Sequence, residues 1–413
     1  MRKSTILALL LGVVFLTAGM GLPFVEDGKL SVSNLAPFPF MTIALLFFFS
    51  RRKPIDARFG GFLLLFNLSC LVSFAIFLIM YQWQPNFLVL LFEDVEIVFC
   101  VLLWWFGRES PDAFRAAVKA GIIASIPVSV LYGLHDLHSG AFWFSNGMDD
   151  KSHGAVLLCC EAYILIRFFG SKLNRLIAGA LYVASFLTIS RLPVFFLPAI
   201  FLALMRRSRL GALFTLCAAA AVMYVVITAG NAVKDTFQVY NRLSSVDVII
   251  GSDSTEAHLE LLKAAFEVKF TEPVAFVFGI GPDNFSKALS TIPAAAQKLE
   301  GIDPQLVTFA REGKAPLHST PMQILLDYNI AIFLLFAFFL IRTFRFLILR
   351  RNVTDLAFGC GFLLASTFYS LHNKPYFYLY VTTIALLIVT ELDALAEPSE
   401  EDGHAVAAAD IPA

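Results

Sequence analysis

Charge is scarce in this chain. Only 15% of its 413 residues are Asp, Glu, Lys or Arg, against about 25% in soluble domains, so a water-soluble globule is excluded. Cysteine is sparse too. Cys70, Cys100, Cys159, Cys160, Cys217 and Cys360 all lie inside apolar runs, which leaves no disulfide framework and no cysteine-based metal site. Several catalytic signatures are missing altogether: His-Glu-x-x-His, a P-loop, Gly-x-Ser-x-Gly, and an Asp-x-Asp pair to hold a divalent metal. Asp149-Asp150 is a lone acidic pair. If a pyrophosphate is bound here, side-chain cations have to balance it. The net charge of −1 gives no basis for a nucleic-acid partner.

What the chain has in abundance is apolar surface: 58% hydrophobic residues and 43 phenylalanines, with a mean hydropathy of +0.75. Long apolar runs with few charges predict an all-α, polytopic membrane protein with about twelve transmembrane helices. The runs lie at 5–22, 35–50, 60–81, 86–106, 114–134, 153–169, 173–190, 192–205, 210–230, 320–341, 353–371 and 376–392. Met1-Arg2-Lys3 and the run after it read as a first membrane helix rather than a cleaved signal, because the run is long and further spans follow at once. The organisation is an N-terminal membrane bundle (1–230), a large polar loop (231–319), C-terminal membrane helices (320–392), and an acidic, Ala-rich tail (393–413) read as disordered.

Basic residues set the orientation. Clusters such as Arg51-Arg52-Lys53, Arg206-Arg207 and Arg350-Arg351 fall at alternate ends of the runs, while the opposite short connections hold only Lys29, Lys151, Arg191 and Lys374. Both termini are then cytoplasmic and the loop from Asn231 to Ser319 is extracytoplasmic.

Arg191 breaks that pattern, on the side where arginine is disfavoured. It can simply snorkel to headgroups. Its permanent charge and planar fork also suit a phosphate at the membrane border. All histidines except His404 fall on or near the same outer side: His135, His138, His153, His258, His318 and His372. In the loop, Leu259, Leu262, Phe266 and Phe270 recur at three- and four-residue steps. That spacing predicts an amphipathic helix over 254–270, its Leu/Phe stripe lying on the bundle or the membrane surface. Phe278-Gly279-Ile280-Gly281 reads as a tight turn that lets backbones approach, and lacks the third glycine of a dinucleotide site. His318 closes the loop as the chain re-enters the bilayer, and Asp327 follows in the same run as an intramembrane acid. Elsewhere the spans carry few charges, and the polar candidates gather at the outer face.

In their order along the chain, these features resemble the O-antigen ligase and polymerase family of bacterial membrane glycosyltransferases. The features are Asp150-Lys151-Ser152-His153-Gly154, Ser190-Arg191, Arg206-Arg207, Arg242 in one large loop, the Phe278-Gly279-Ile280-Gly281 turn, and His318 ahead of Asp327. The chain departs from the family pattern at Ser319 and Asn329, and His258 stands where the family has a second loop arginine.

The resemblance implies a metal-independent transfer at the outer face of the bacterial inner membrane, with surface polysaccharide, exopolysaccharide or O-antigen as product. An undecaprenyl-pyrophosphate-linked glycan is the donor and a glycan or lipid-linked molecule the acceptor. His318 and Arg191 are the implied catalytic residues. Arg242, Lys151, His153, His258 and Asp327 are the implied substrate-binding residues. Polymerase and ligase to lipid A core both fit. A transporter or flippase of lipid-linked glycan is the alternative of a different class, and a non-catalytic assembly factor is a third.

Overall fold

The computed structural model describes residues 3–20, 32–50, 57–138, 151–188, 190–206, 208–232, 253–292, 317, 319–369, 371 and 375–396. Among them there is no strand. The helices are α1 (Lys3–Thr17), α2 (Val32–Leu35), α3 (Pro37–Ser50), α4 (Ala57–Tyr81), α5 (Phe87–Glu109), α6 (Pro111–His138), α7 (Lys151–Phe168), α8 (Lys172–Leu187), α9 (Pro193–Met205) and α10 (Arg209–Ala232). They continue with α11 (Asp253–Thr271), α12 (Pro273–Phe278), α13 (Phe285–Thr291), α14 (Thr320–Asp327), α15 (Ile330–Leu349), α16 (Val353–Phe368) and α17 (Pro375–Ala396). Each long apolar run of the sequence is helical over most of its described residues.

Five stretches are long and apolar enough to cross a membrane: Val32–Ser50, Gly60–Tyr81, Pro111–Asp136, Ile330–Leu349 and Tyr376–Asp393. That is compatible with a multi-pass membrane protein. Helix starts are set locally by side-chain caps. Asn86, Ser171, Asn329 and Asn352 each accept a hydrogen bond from the backbone N–H three residues on, satisfying donors that a helix start otherwise orphans.

The main core is built around α7. Every residue from His153 to Ile166 is buried, as expected of a helix that is apolar nearly all round. It packs against α8, α9 and α17, with α16 on α9 and the α1–α6 pair alongside. At its Phe168 end, charges close the bundle. Arg167 Nε and Nη2 donate to Asp355 (3.0 Å to Oδ1) and Glu391 (2.6 Å to Oε2), and the Tyr163 hydroxyl also reaches Asp355. Arg108 of α5 pairs with Asp393 of α17.

A second, smaller core forms where loop helices α11–α13 sit on the turn between α4 and α5. Leu261, Ala264, Ala265 and Val268 of α11 pack with Phe77, Trp83, Ile280, Leu289 and Leu317. Polar contacts pin the same junction. Trp83 Nε1 donates to Thr291 Oγ1 (3.1 Å), Asn86 Nδ2 to Asp283 Oδ2 (2.7 Å) and Lys287 Nζ to the Gln84 carbonyl (2.8 Å).

Two expectations change, and a third is made specific. The run 320–341 is not one helix. It breaks at extended Tyr328 (φ −111°, ψ 170°), and Asn329 recaps the chain into α15 while donating to Ser69 Oγ (2.8 Å). The amphipathic helix is present as α11, but its packed face is the alanine-rich one. Leu259, Phe266 and Phe270 are exposed, while Ala264 and Ala265 are buried on the face of α11 that packs on α12 and α14. The tail begins later than Asp393, since α17 continues to Ala396. Residues 397–413 lie outside the described residues.

Candidate functional site

Four segments meet at the end of the bundle opposite Arg167. The first is the start of α7. His153 is buried (3% exposed), its Nδ1 lies 2.8 Å from the Tyr376 hydroxyl, and its ring stands edge-on to Tyr369 and Tyr376. The second is the turn between α8 and α9. Ser190 Oγ lies 3.4 Å from Ser152 Oγ, which sets the Ser190-Arg191 turn against the first residues of α7. That turn is held from inside: Thr188 Oγ1 accepts from Ser190 N (3.3 Å), Ser190 Oγ accepts from Leu192 N (3.3 Å), and the Tyr182 hydroxyl donates to the Pro193 carbonyl (3.1 Å). Arg191 projects from it half-buried.

The third segment is the start of α14. Ser319 caps the helix through Met322 N (3.4 Å). Thr320 Oγ1 accepts from Leu371 N (2.8 Å) and donates to the Tyr369 carbonyl (3.3 Å). The fourth is therefore the link from α16 to α17, whose Tyr369 touches both His153 and Thr320. Leu317, one residue before His318, is buried in the loop's core, so the start of α14 joins that core to the polar group.

The structure thus brings together Arg191, His153, the backbone of Lys151 and the residues flanking His318. His318 and Arg242 themselves lie outside the described residues, as do Asp149 and Asp150. Lys151 and His258 are placed by backbone only, in α7 and α11. Asp327 is not part of this group. It ends α14, about 10 Å along the helix from Thr320 at ~1.5 Å per residue, and is buried under the glycine turn.

The turn itself explains that burial. Gly279 (φ +79°) and Gly281 (φ +80°) bring Ile280 N to the Leu326 carbonyl (3.0 Å) and Gly281 N to the Asp327 carbonyl (2.9 Å). Ser73 Oγ donates to the Gly279 carbonyl (2.6 Å). Two of the carbonyls that a helix end leaves orphaned are satisfied by loop backbone. Lys269 of α11, fully buried, donates to the Ala275 and Tyr328 carbonyls (2.7 and 2.9 Å). Burial pushes its amine down to about 8, against the opposing pull of Asp327.

Sequence reasoning missed a second set of polar groups. Glu93, Asp94 and Glu96 sit on α5, with Asp94 Oδ1 accepting from Asn67 Nδ2 (2.9 Å). Glu161 is buried in mid-α7, where one carboxyl oxygen accepts from Ser125 Oγ (2.9 Å) and the Tyr380 hydroxyl (3.0 Å). Glu93 and Glu161 each keep one buried oxygen without a hydrogen bond, and Asp327 keeps two. The signal was present as Glu93-Asp94-x-Glu96 inside an apolar run. Among the described residues no three His, Cys, Asp or Glu side chains are placed to hold a metal ion.

Comparison of the chain with protein-family models, with curated proteins and with solved structures finds no match.

Proposed function

We propose that this chain is a glycosyltransferase of the outer face of the bacterial cytoplasmic membrane. It spans the bilayer about twelve times, with the loop 231–319 outside, and uses an undecaprenyl-pyrophosphate-linked glycan as donor. One observation carries the reading. The start of α7 with His153, the Ser190-Arg191 turn and the start of α14 after His318 converge at one end of the bundle, bridged by Ser152, Tyr369 and Thr320. These are among the segments that the family resemblance singles out, and they are far apart in sequence.

The chemistry follows from the residue types. The donor's lipid tail lies in the bilayer, so its pyrophosphate rests at the membrane border. The Arg191 guanidinium, joined by Arg242 from the loop, stabilises the leaving pyrophosphate as the glycosidic C–O bond to phosphate breaks and its electron pair moves to oxygen. Fixed cations aimed at developing charge are an effective source of rate in such a setting. The acceptor hydroxyl attacks the anomeric carbon in line, with inversion, and gives its proton to His318, whose imidazole suits general-base work near neutral pH. His153, buried among tyrosines, positions the start of α7.

The buried carboxyls Glu161 and Asp327, with half-buried Glu93, favour a second reading, a transporter or flippase of lipid-linked glycan, because intramembrane acids mark ion and substrate paths. Reconstitution decides between the two. Purified chain in liposomes with the lipid-linked donor yields a new glycosidic bond and free undecaprenyl pyrophosphate, and product length and acceptor separate polymerase from ligase. The His318→Ala variant inserts normally and makes no product. Movement of donor across the bilayer without bond formation overturns the transferase reading, and full activity in the His318→Ala variant overturns the base assignment.

A further inference from the structure

Helix α11 presents three faces rather than two. With an advance of ~100° per residue, Leu261, Ala264, Ala265, Val268 and Lys269 form one buried stripe. Glu260, Lys263 and Glu267 form a second, polar stripe, with Lys263 paired to Glu260. Between them runs a third: Leu259, Phe266 and Phe270 are apolar and exposed (52%, 47% and 55%). Phe266 and Phe270 stack at 6.0 Å, and Phe270 meets Phe276 of α12 at 5.9 Å. Phe276 and Val277 are exposed as well, so the ladder runs continuously from α11 into α12.

The position of the ladder indicates what covers it. Helix α12 packs on α4 and α15, two of the helices long and apolar enough to cross a membrane. The last turn of α4 exposes Leu78, Ile79 and Met80, and Tyr81, which follows them, donates to Glu272 Oε2 (3.3 Å) at the joint between α11 and α12. The aromatic ladder therefore continues the apolar surface of a spanning helix at the level where that helix ends in a tyrosine, the residue type enriched at the membrane–water boundary. A polar stripe beside an apolar one, on a helix anchored at that level, is the pattern of a helix lying in the plane of the interface.

We infer that α11 and α12 are embedded in the headgroup–acyl boundary of the bilayer through Leu259, Phe266, Phe270, Phe276 and Val277. Lipid, rather than protein, is the partner of this face, and the loop is held flat on the membrane by it. The inference rests on the reading of α4 and α15 as membrane spans.

The test uses nitroxide labels in proteoliposomes of phosphatidylethanolamine and phosphatidylglycerol. Exposed Cys217 and Cys360 are first replaced by Ala. Single cysteines are then placed at Phe266, Phe270 and Lys263, and at Phe338, an exposed position of α15 (54%). Labels at 266 and 270 are expected to collide with oxygen at least several-fold more than with a water-soluble nickel chelate, at a depth about 5–10 Å below the headgroup surface. The label at 263 shows the reverse. Equal nickel access at 266, 270 and 263 overturns the inference, as does immobilisation at 266 and 270 with access to neither reagent, which means a protein cover. The label at 338 separates the two levels. If 338 is buried in lipid and 266 is not, the interfacial assignment alone fails; if 338 is open to nickel, the membrane reading of α15 fails first.

Discussion

Replacing Gly279 with alanine isolates the joint between the loop and the break after α14. Gly279 holds φ +79° and ψ 172°, a region open to glycine almost alone, and a side chain there costs about 1–3 kcal/mol in backbone strain. The new Cβ also sits against the Asp327 carbonyl and 2.6 Å from the carbonyl carbon of Tyr328. Those are backbone atoms, which cannot swing aside. The turn must move, and the Ile280–Leu326 and Gly281–Asp327 hydrogen bonds go with it, at about 0.5–1.5 kcal/mol each. The combined loss of loop docking is about 3–4 kcal/mol, or roughly two to three decades in the docking equilibrium. Hydrogen exchange in detergent or nanodiscs reads it directly. Amides of Ala264, Ala265 and Val268 in Gly279→Ala exchange about 100- to 1,000-fold faster, and those of α7 are unchanged. Gly60→Ala is the control, because its Cβ meets nothing within 4 Å. Wild-type protection of α11 in the Gly279→Ala protein refutes the account of the turn.

Other expectations concern the charged groups. Arg191→Lys is expected to keep insertion and lose transfer by tenfold or more, since lysine lacks the planar fork; unchanged turnover removes Arg191 from the pyrophosphate site. Arg167→Leu leaves Asp355 buried beside Tyr163 and costs about 3–5 kcal/mol, while Arg167→Leu with Asp355→Leu regains most of it. Thermal melting of the single and double variants is the check, and additive losses refute the pairing. Lys269 titrates near 8 in the folded chain and near 10.4 when unfolded. Between those values the unfolded chain binds more protons, so docking of α11 tightens as pH rises from 8 to 10, with Asp327 the acid facing it. Exchange rates of α11 across that range, compared with Lys269→Met, measure it; loosening with rising pH contradicts the assignment.

Helix positions were legible because apolar runs in this chain coincide with helices. The break at Tyr328–Asn329 was hidden by apolar neighbours on both sides, although Asn329 is a good helix cap. The sequence left open whether the Leu/Phe stripe of α11 meets the bundle or the membrane surface, and the face that meets protein is the one with Ala264 and Ala265. Where one side of a helix meets protein and another meets apolar solvent, large hydrophobic residues no longer mark the buried side, and Ala264 and Ala265 mark it by allowing close approach. At the candidate site, Arg191 and His153 stood out as polar residues beside apolar runs. Their partners Tyr369, Tyr376 and Thr320 carry no local signal, because only the fold brings them near.

The turn at Gly279–Gly281 also carries a consequence for assembly. It supplies the N–H groups that finish α14, a helix whose last carbonyls otherwise end among apolar side chains. In chain order the turn precedes α14, so during synthesis the cap is made before the helix it completes. A chain with a faulty loop would carry α14 to its place with its end unfinished. Damage in a polar segment would then be felt as a packing failure of the last helices, α15 to α17, which contain no altered residue.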